Sequence, residues 1–565
     1  MAEDPDPGDR AELRALLADI GPPDATDARS VAARAELTDR FAGRLEFGTA
    51  GLRGAVGAGP NRMNRAVVRG ATAALAGWLR QRRPGAVTAG VVVGWDARHR
   101  SAEFADEVTS VLTGAGIRVH LLPPHSPTPL LAFAVRHLSA GAGIMITASH
   151  NPPADNGYKL YLGDGAQIVP PADVQIEAAI RALGPLSRIP ARTGSNALVI
   201  HQGDEVAQAY LDAIAGSPGA RPAATGEPLR IVYTPLHGIA CRLAVRAIEH
   251  AGFPVPHVVE AQADPDPDFP TVAFPNPEQP GALDLALADA RRLGADLVLA
   301  NDPDGDRLAV AVPDPAAGGG WRMLTGDQVG ALLGAFLIAE GEPGPRPQDR
   351  LVATTVVSST MLCKIAAAAD VRYVETLTGF KWIVRAGEYA PDSRFVFGYE
   401  EALGYAVGDT VRDKDGISAA LALLALATTA RSAGQSLLDR WDALEAKHGV
   451  HLTAQLALAS RSPADVMAAL RAAPPTVLAD QPVTAASDLA GGGDGLPPAD
   501  VLRYWLPGAR VVIRPSGTEP KLKAYLEVVE PTVGATLAAA RTAAAARLGA
   551  LRSAVRDLIT GEPRP

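Results

Sequence analysis

A chain of 565 residues is too long for one hydrophobic core and implies three or four domains. Its hydrophobic content of 47% supplies ample buried material, while a net charge of -9 excludes a general nucleic-acid surface, so an anionic ligand must be met by local basic clusters. The two cysteines, Cys241 and Cys363, lie far apart without metal-ligand spacing, which excludes a disulfide framework and predicts a reducing, cytoplasmic setting. The acidic first residues, MAEDPDPGDRAELR, carry no apolar signal core, and no stretch approaches the about 20 apolar residues of a membrane span. Lysine provides only seven of the 53 basic side chains, and Lys159, Lys381, Lys414, Lys521 and Lys523 fall in or beside polar motifs. An ammonium can exchange a proton where an arginine cannot readily do so.

Residues 1–40 read as an N-terminal helical extension, two helices separated by Pro22 and Pro23. In residues 44–54, RLEFGTAGLRG, three glycines permit close backbone approach and Arg53 offers a phosphate-binding fork. From Val87 strands and helices alternate: VVVGWDAR, a helix capped by Ser101, the strand IRVHLL, a helix over 128–137, and the strand GAGIMIT. This predicts a parallel α/β domain over 41–205 with ligands at the carboxyl ends of its strands. There the chain reads TASHNPPADNGYK, placing the Ser149 hydroxyl beside His150, with Lys159 in reach. In isolation the same residues would suit an ordinary turn.

A second α/β domain, 206–320, contains LRIVYTPLHG and then ADLVLANDPDGDR, an apolar strand breaking into Asp302, Asp304 and Asp306. Three carboxylates this close repel unless a cation holds them, and hard oxygen donors suit Mg²⁺. A third α/β domain, 321–446, carries TLTGFKW and FGYEEALGY, then VRDKDGIS with Lys414 ahead of a helix. Glu400 directly follows an apolar strand, and a carboxylate there can accept hydrogen bonds from adjacent hydroxyls of a ligand. Past Lys447 the composition predicts a smaller α+β domain, 447–565. Its RPSGTEPK loop offers Arg514, Ser516, Gly517, Thr518 and Lys521 around a phosphate.

With the serine, aspartate, glutamate and phosphate loops in this order, the chain resembles the α-D-phosphohexomutase family, the phosphoglucomutases and phosphomannomutases, from about Arg44 to about Val529. The resemblance implies three α/β domains with mixed, largely parallel sheets, a C-terminal α+β domain and an active site in the central cleft, which closes on substrate. It implies a phosphoryl group on Ser149, with Ser149, Asp302, Asp304 and Asp306 holding one Mg²⁺, and Arg307 steadying the phosphoserine. Thr378, Gly379, Lys381, Glu400 and residue 402 would meet the sugar, and Arg53 becomes a phosphate ligand beside the 514–521 loop. His150, Lys159 and Lys414 are the candidates for moving the proton. The implied reaction interconverts glucose 1-phosphate and glucose 6-phosphate through a bisphosphate, with sugar 1,6-bisphosphate as activator; mannose and pentose phosphates are the alternatives. Family members commonly carry serine where this chain has Ala402. With the GYEEALGY wording, this resembles the branch that includes enzymes acting on phosphopentoses. The expected partner is a small phosphosugar, with no nucleic acid or membrane, for a monomer or dimer. A sugar-bisphosphate synthase and a non-catalytic sugar-phosphate sensor are the competing readings.

Overall fold

The computed structural model describes residues 4–22, 24–46, 51–192, 194, 196–223, 227–340, 346–460, 462–516 and 521–561. They form two compact units: Met1–Ser217 with Leu229–Ala309 and Thr410–Leu421, and Pro218–Pro228 with Val310–Asp409 and Ala422–Pro565. The first unit contains a six-stranded sheet ordered Leu52–Ala55, Asp155–Leu162, Ala142–Ile146, Val91–Trp95, Val119–Leu121, Val199–His201. The last four strands run parallel, and the first two turn the edge antiparallel. Strands such as Val91–Trp95 and Ala142–Ile146 are runs of apolar residues because helices cover both faces of a parallel sheet. A second parallel group in this unit is ordered Leu297–Asn301, Ile231–Thr234, His257–Val258.

Helices Pro7–Asp19 and Ala28–Phe41 form the predicted N-terminal pair. The helix expected after the first core strand runs Ser101–Gly114, but Ser101 does not cap it. Its hydroxyl is instead drawn to Asp96 Oδ1 at 2.6 Å, and the capping position belongs to Arg100, in a left-handed conformation with φ 64°. Among the described residues, no single helix is long and apolar enough to cross a membrane.

The second unit pairs a mixed sheet, ordered Arg372–Thr376, Arg350–Thr355, Arg394–Glu400, Gly404–Val407, with an antiparallel sheet ordered Val450–Ala459, Lys521–Glu530, Ala509–Pro515, Leu502–Leu506, Ala485–Asp488. A buried polar network fastens them. Glu527 accepts from Ser359 Oγ at 2.8 Å and from the Thr360 amide at 2.7 Å, and meets His451 Nδ1 at 3.0 Å. Asp327 accepts from the Ser359 amide at 2.7 Å and from Thr453 Oγ1 at 2.9 Å. Arg510 bridges Glu375 at 2.7 Å and the Ser358 carbonyl at 2.6 Å. Leaving any one of these buried partners unpaired is costly, so the network fixes the strand ending at Glu400 relative to the hairpin carrying Arg514.

The two carboxylates differ in sign. Burial and the Glu527 charge push Asp327 up to about 6, whereas His451 and Arg510 hold Glu527 at about 2 despite burial. A raised carboxyl stabilises the fold while protonated, a contribution complete below the ordinary value and lost as pH rises through about 6. The Glu527 contribution is present above its ordinary value and lost as pH falls toward 2. Asp327→Asn, which keeps the acceptor and loses the charge, is therefore expected to gain on the wild type by up to about 3 kcal/mol between pH 4 and pH 8. Thermal melts at both pH values check this, and an unchanged difference would contradict it.

Candidate active site

Ser149 stands just past the strand Ala142–Ile146, buried and in the left-handed region at φ 52°. Its amide donates to Thr147 Oγ1 at 2.9 Å, and its hydroxyl donates to Asp302 Oδ2 at 2.6 Å. His150 Nδ1 lies 3.3 Å from the same hydroxyl, and burial with the nearby Arg307 and Arg53 charges holds that imidazole neutral, its pKa well below the ordinary value. Lys159 comes from the neighbouring strand in register with Met145. Gly157 makes this close stacking possible, since a Cβ there would stand 2.5 Å from the Thr147 carbonyl oxygen. Arg53 sits on the next strand, where Nη1 donates to Asn151 Oδ1 at 2.9 Å and the buried Nε has no hydrogen-bond partner among the described residues.

The aspartate loop follows the strand Leu297–Asn301, and Gly305 supplies the φ of 75° that folds it back. Asp302, Asp304 and Asp306 are buried, each placing a carboxylate oxygen within 4.8 Å of the others. Lys159 Nζ bridges Asp304 at 2.6 Å and Asp306 at 2.9 Å, Lys414 Nζ reaches Asp306 at 3.2 Å, and Thr128 Oγ1 donates to Asp304 at 2.6 Å. Lys414 is itself seated by Asp413, which accepts from Tyr161 at 2.7 Å. Arg307 donates its amide to Asp302 Oδ1 at 3.0 Å and brings its guanidinium to 3.7 Å from Asp306.

Burial and the other two charges raise Asp302 well above the ordinary carboxylate range. Asp304 is equally buried, yet Lys159 and Thr128 hold it far below that range. Burial would discharge Lys159, but the aspartate pair outweighs it and keeps the ammonium. Among the described residues no hydrogen-bond donor meets the buried Asp304 Oδ1 and Asp306 Oδ1, an arrangement of hard oxygens that fits a small divalent cation such as Mg²⁺.

The remaining predicted residues belong to the second unit. Glu400 ends the strand Arg394–Glu400 and is half-buried, with Ala402 in the turn beyond. Thr378 and Gly379, the latter at φ 110°, precede Lys381, which is buried with Nζ 5.8 Å from the Trp382 ring centre. Arg514 is half-buried near the end of Ala509–Pro515, and the Ser516 amide donates to the Lys521 carbonyl at 2.8 Å, closing the phosphate-loop hairpin. Gly517 and Thr518 lie outside the described residues. Arg514→Ala is expected to raise the KM for a sugar phosphate about 100-fold, the scale of a lost charge-assisted pair, while Ser149 phosphorylation changes little. Proportional losses in both would contradict that division.

Two residues escaped the sequence reading. Arg98, at the end of VVVGWDAR, is buried, and its guanidinium donates to the Ser149 and Asn151 carbonyls at 2.6 Å each, Pro152 at 2.7 Å and Asp155 at 3.1 Å. Only the strand-then-DxR pattern hinted at this. Tyr525, buried on the strand Lys521–Glu530, accepts from Arg514 and feels the charges of Glu401 and Glu400; its pattern signals only a strand.

Models of the phosphoglucomutase/phosphomannomutase domains match in order: alpha/beta/alpha domain I at 44–185, domain II at 208–318, domain III at 325–444 and the C-terminal domain at 463–544. A Haemophilus influenzae protein named "Probable phosphomannomutase" is 41% identical over 479 residues, covering 82% of this chain and 93% of its own. A Schizosaccharomyces pombe protein named "Probable phosphoribomutase" is 37% identical over 518 residues, 86% of each chain. The solved phosphoglucomutase/phosphomannomutase family protein of Burkholderia thailandensis shares the fold, with a TM-score of 0.68 at 22% identity over 92% of this chain and 98% of that one. The chain belongs to the α-D-phosphohexomutase family.

Proposed function

We propose that the protein interconverts glucose 1-phosphate and glucose 6-phosphate, using Ser149 as the phosphoryl carrier. The observation that carries this reading is the Ser149 hydroxyl set 2.6 Å from Asp302, at the edge of a buried carboxylate triad faced by Lys159, Lys414 and Arg307. In the phosphorylated enzyme a free sugar hydroxyl attacks the phosphorus. The bond from phosphorus to Ser149 Oγ breaks, a bond to the sugar oxygen forms, and the hydroxyl proton passes to the protein. The bisphosphate so formed turns end for end and returns its other phosphoryl group to Ser149, with the proton going back to the sugar. Neutral His150 can accept that proton at rest, whereas Lys159 is an ammonium while Asp304 and Asp306 engage it. Lys414 is the third candidate.

Asp302, Asp304, Asp306 and the phosphoserine would hold one Mg²⁺, which draws negative charge from the transferring group. Arg53 and Arg307 contribute fixed positive charge around the loop. Glu400 and the 378–381 turn receive the sugar, and Arg514, Ser516 and Lys521 receive its unreacting phosphate. A sugar 1,6-bisphosphate would serve as activator by recharging Ser149. The protein needs only this small phosphosugar as partner, as monomer or dimer, and nothing in the chemistry calls for a nucleic acid or a membrane.

A second reading is ribose 1-phosphate as substrate. It is favoured by Ala402, which leaves the Glu400 turn without a hydroxyl, and by the relative named as a phosphoribomutase. Purified protein should be assayed with the 1-phosphates of glucose, mannose and ribose, each with Mg²⁺ and a trace of the matching bisphosphate. Fastest conversion of glucose 1-phosphate supports the first reading, and fastest conversion of ribose 1-phosphate supports the second. Bisphosphate accumulating from an outside phosphoryl donor without isomerisation would replace both with a synthase.

A further inference from the structure

The N-terminal helix Pro7–Asp19 lies outside the stretch that matches the family's first domain, which begins at residue 44. Two of its carboxylates nevertheless turn inward. Asp6 caps the helix, accepting from the Gly8 amide at 2.7 Å, and Asp9 stands in its first turn; both are buried, at 8% and 3% exposure. Asp6 pairs with Arg100, and Asp9 Oδ1 accepts from Arg100 Nη1 at 2.7 Å. Glu103 takes Nε at 3.0 Å, and the guanidinium carbon lies 5.2 Å from the Phe104 ring centre. Every polar face of this arginine is thereby engaged.

Arg100 holds φ 64° and ψ 3°, a left-handed conformation that is strained for a residue with a Cβ. That conformation directs the turn 96–101. Two residues before it, Arg98 gathers the carbonyls of Ser149, Asn151, Pro152 and Asp155, while Asp96 pairs with its Nε at 3.3 Å. Between them the His99 carbonyl accepts from Asn156 Nδ2 at 3.0 Å. A continuous chain of contacts therefore runs from the extension, through Arg100, to the backbone of the serine loop.

We infer that the N-terminal extension is a positioning element for the phosphoserine: Asp6 and Asp9 hold Arg100 left-handed, and so hold Arg98 against the Ser149 loop. Arg98 and Arg100 touch no reacting atom and act through that loop. The inference rests on the mutase reading above for its kinetic consequence, because a displacement of about 1 Å at a reacting group costs up to about 100-fold in rate.

The test uses the full chain as the double variant Asp6→Asn/Asp9→Asn, as Arg100→Ala and as Arg100→Gly. Turnover is divided by the Ser149 phosphate content measured by mass spectrometry, which separates a loss of folded enzyme from a loss of positioning. The double variant and Arg100→Ala should each lose about 10-fold in turnover per phosphoserine, with KM within about twofold. Arg100→Gly, free to adopt the left-handed turn without strain, should recover to within about threefold of the wild type. Unchanged turnover per phosphoserine in the double variant and in Arg100→Ala overturns the inference, whatever the yield of folded protein. Hydrogen exchange in peptides spanning 147–156 gives a readout independent of the sugar: faster exchange in the double variant supports the inference, and unaltered exchange overturns it. A wild type without mutase turnover defeats the functional reading alone, since the exchange measurement still decides the positioning role.

Discussion

Ser149→Ala is expected to lower mutase turnover by roughly 10⁴-fold or more, the scale seen when a nucleophile is removed from an otherwise intact site. Among the described residues, the nearby threonine hydroxyls cannot substitute. Thr147 Oγ1 is already engaged by the Ser149 amide and by Asp96, and Thr128 Oγ1 is directed at Asp304. The variant should still fold, because alanine at φ 52° carries much the same backbone strain as serine and the loop stays fastened by Arg98. Turnover, phosphate content and thermal melting on one preparation check this: the first two should vanish while the melting temperature stays close to the wild-type value. Substantial residual turnover would remove Ser149 from the chemistry.

Lys159→Met is expected to produce the next largest effect, on stability as well as rate. The substitution preserves the stem but leaves Asp304 and Asp306 buried without their shared ammonium. Breaking a buried pair by removing one member costs about 3–5 kcal/mol, because the remaining charge is uncompensated. The rate should fall about 10³-fold, the scale of a fixed positive charge removed from beside the transferring group. The pH dependence distinguishes this from simple mispacking. In the wild type Lys159 keeps the Asp304 pKa low, so the pair's contribution persists as pH rises; in the variant, burial raises that pKa, and stability should be lost as pH rises from 5 to 8. Mg²⁺ should offset the deficit by neutralising the same carboxylates, and so raise the melting temperature of Lys159→Met more than that of the wild type. Equal shifts in both proteins would contradict the assignment of that carboxylate pair.

What could be read beforehand follows from which interactions leave a side-chain signature. The DPDGDR loop was legible because its aspartates alternate between two apolar strands, a pattern with few uses other than gathering a cation. The serine loop was legible because an apolar strand stops at Ile146 and gives way to the polar residues around Ser149. Arg98 was not, because the four hydrogen bonds of its Nη1 and Nη2 go to main-chain carbonyls, which any residue provides. The cap assigned to Ser101 failed for a local reason: Asp96, in the same turn, takes its hydroxyl, and Arg100 closes the helix start in a conformation normally reserved for glycine. The network of Asp327, His451, Arg510 and Glu527 was equally hidden, since its members come from separate segments and meet only after the sheets fold. Lysine scarcity did carry information, as Lys159 and Lys414 converge on Asp306.

In the proposed reaction Ser149 gives its phosphoryl group to the sugar and takes one back. Enzyme carrying ³²P on Ser149 should be mixed with an excess of unlabelled glucose 1-phosphate and quenched within one turnover. The label should leave the protein and appear in glucose bisphosphate and then glucose 6-phosphate, in an amount equal to that lost from Ser149. Label that stays on the protein, or that is released only as inorganic phosphate, would contradict the phosphoserine mechanism.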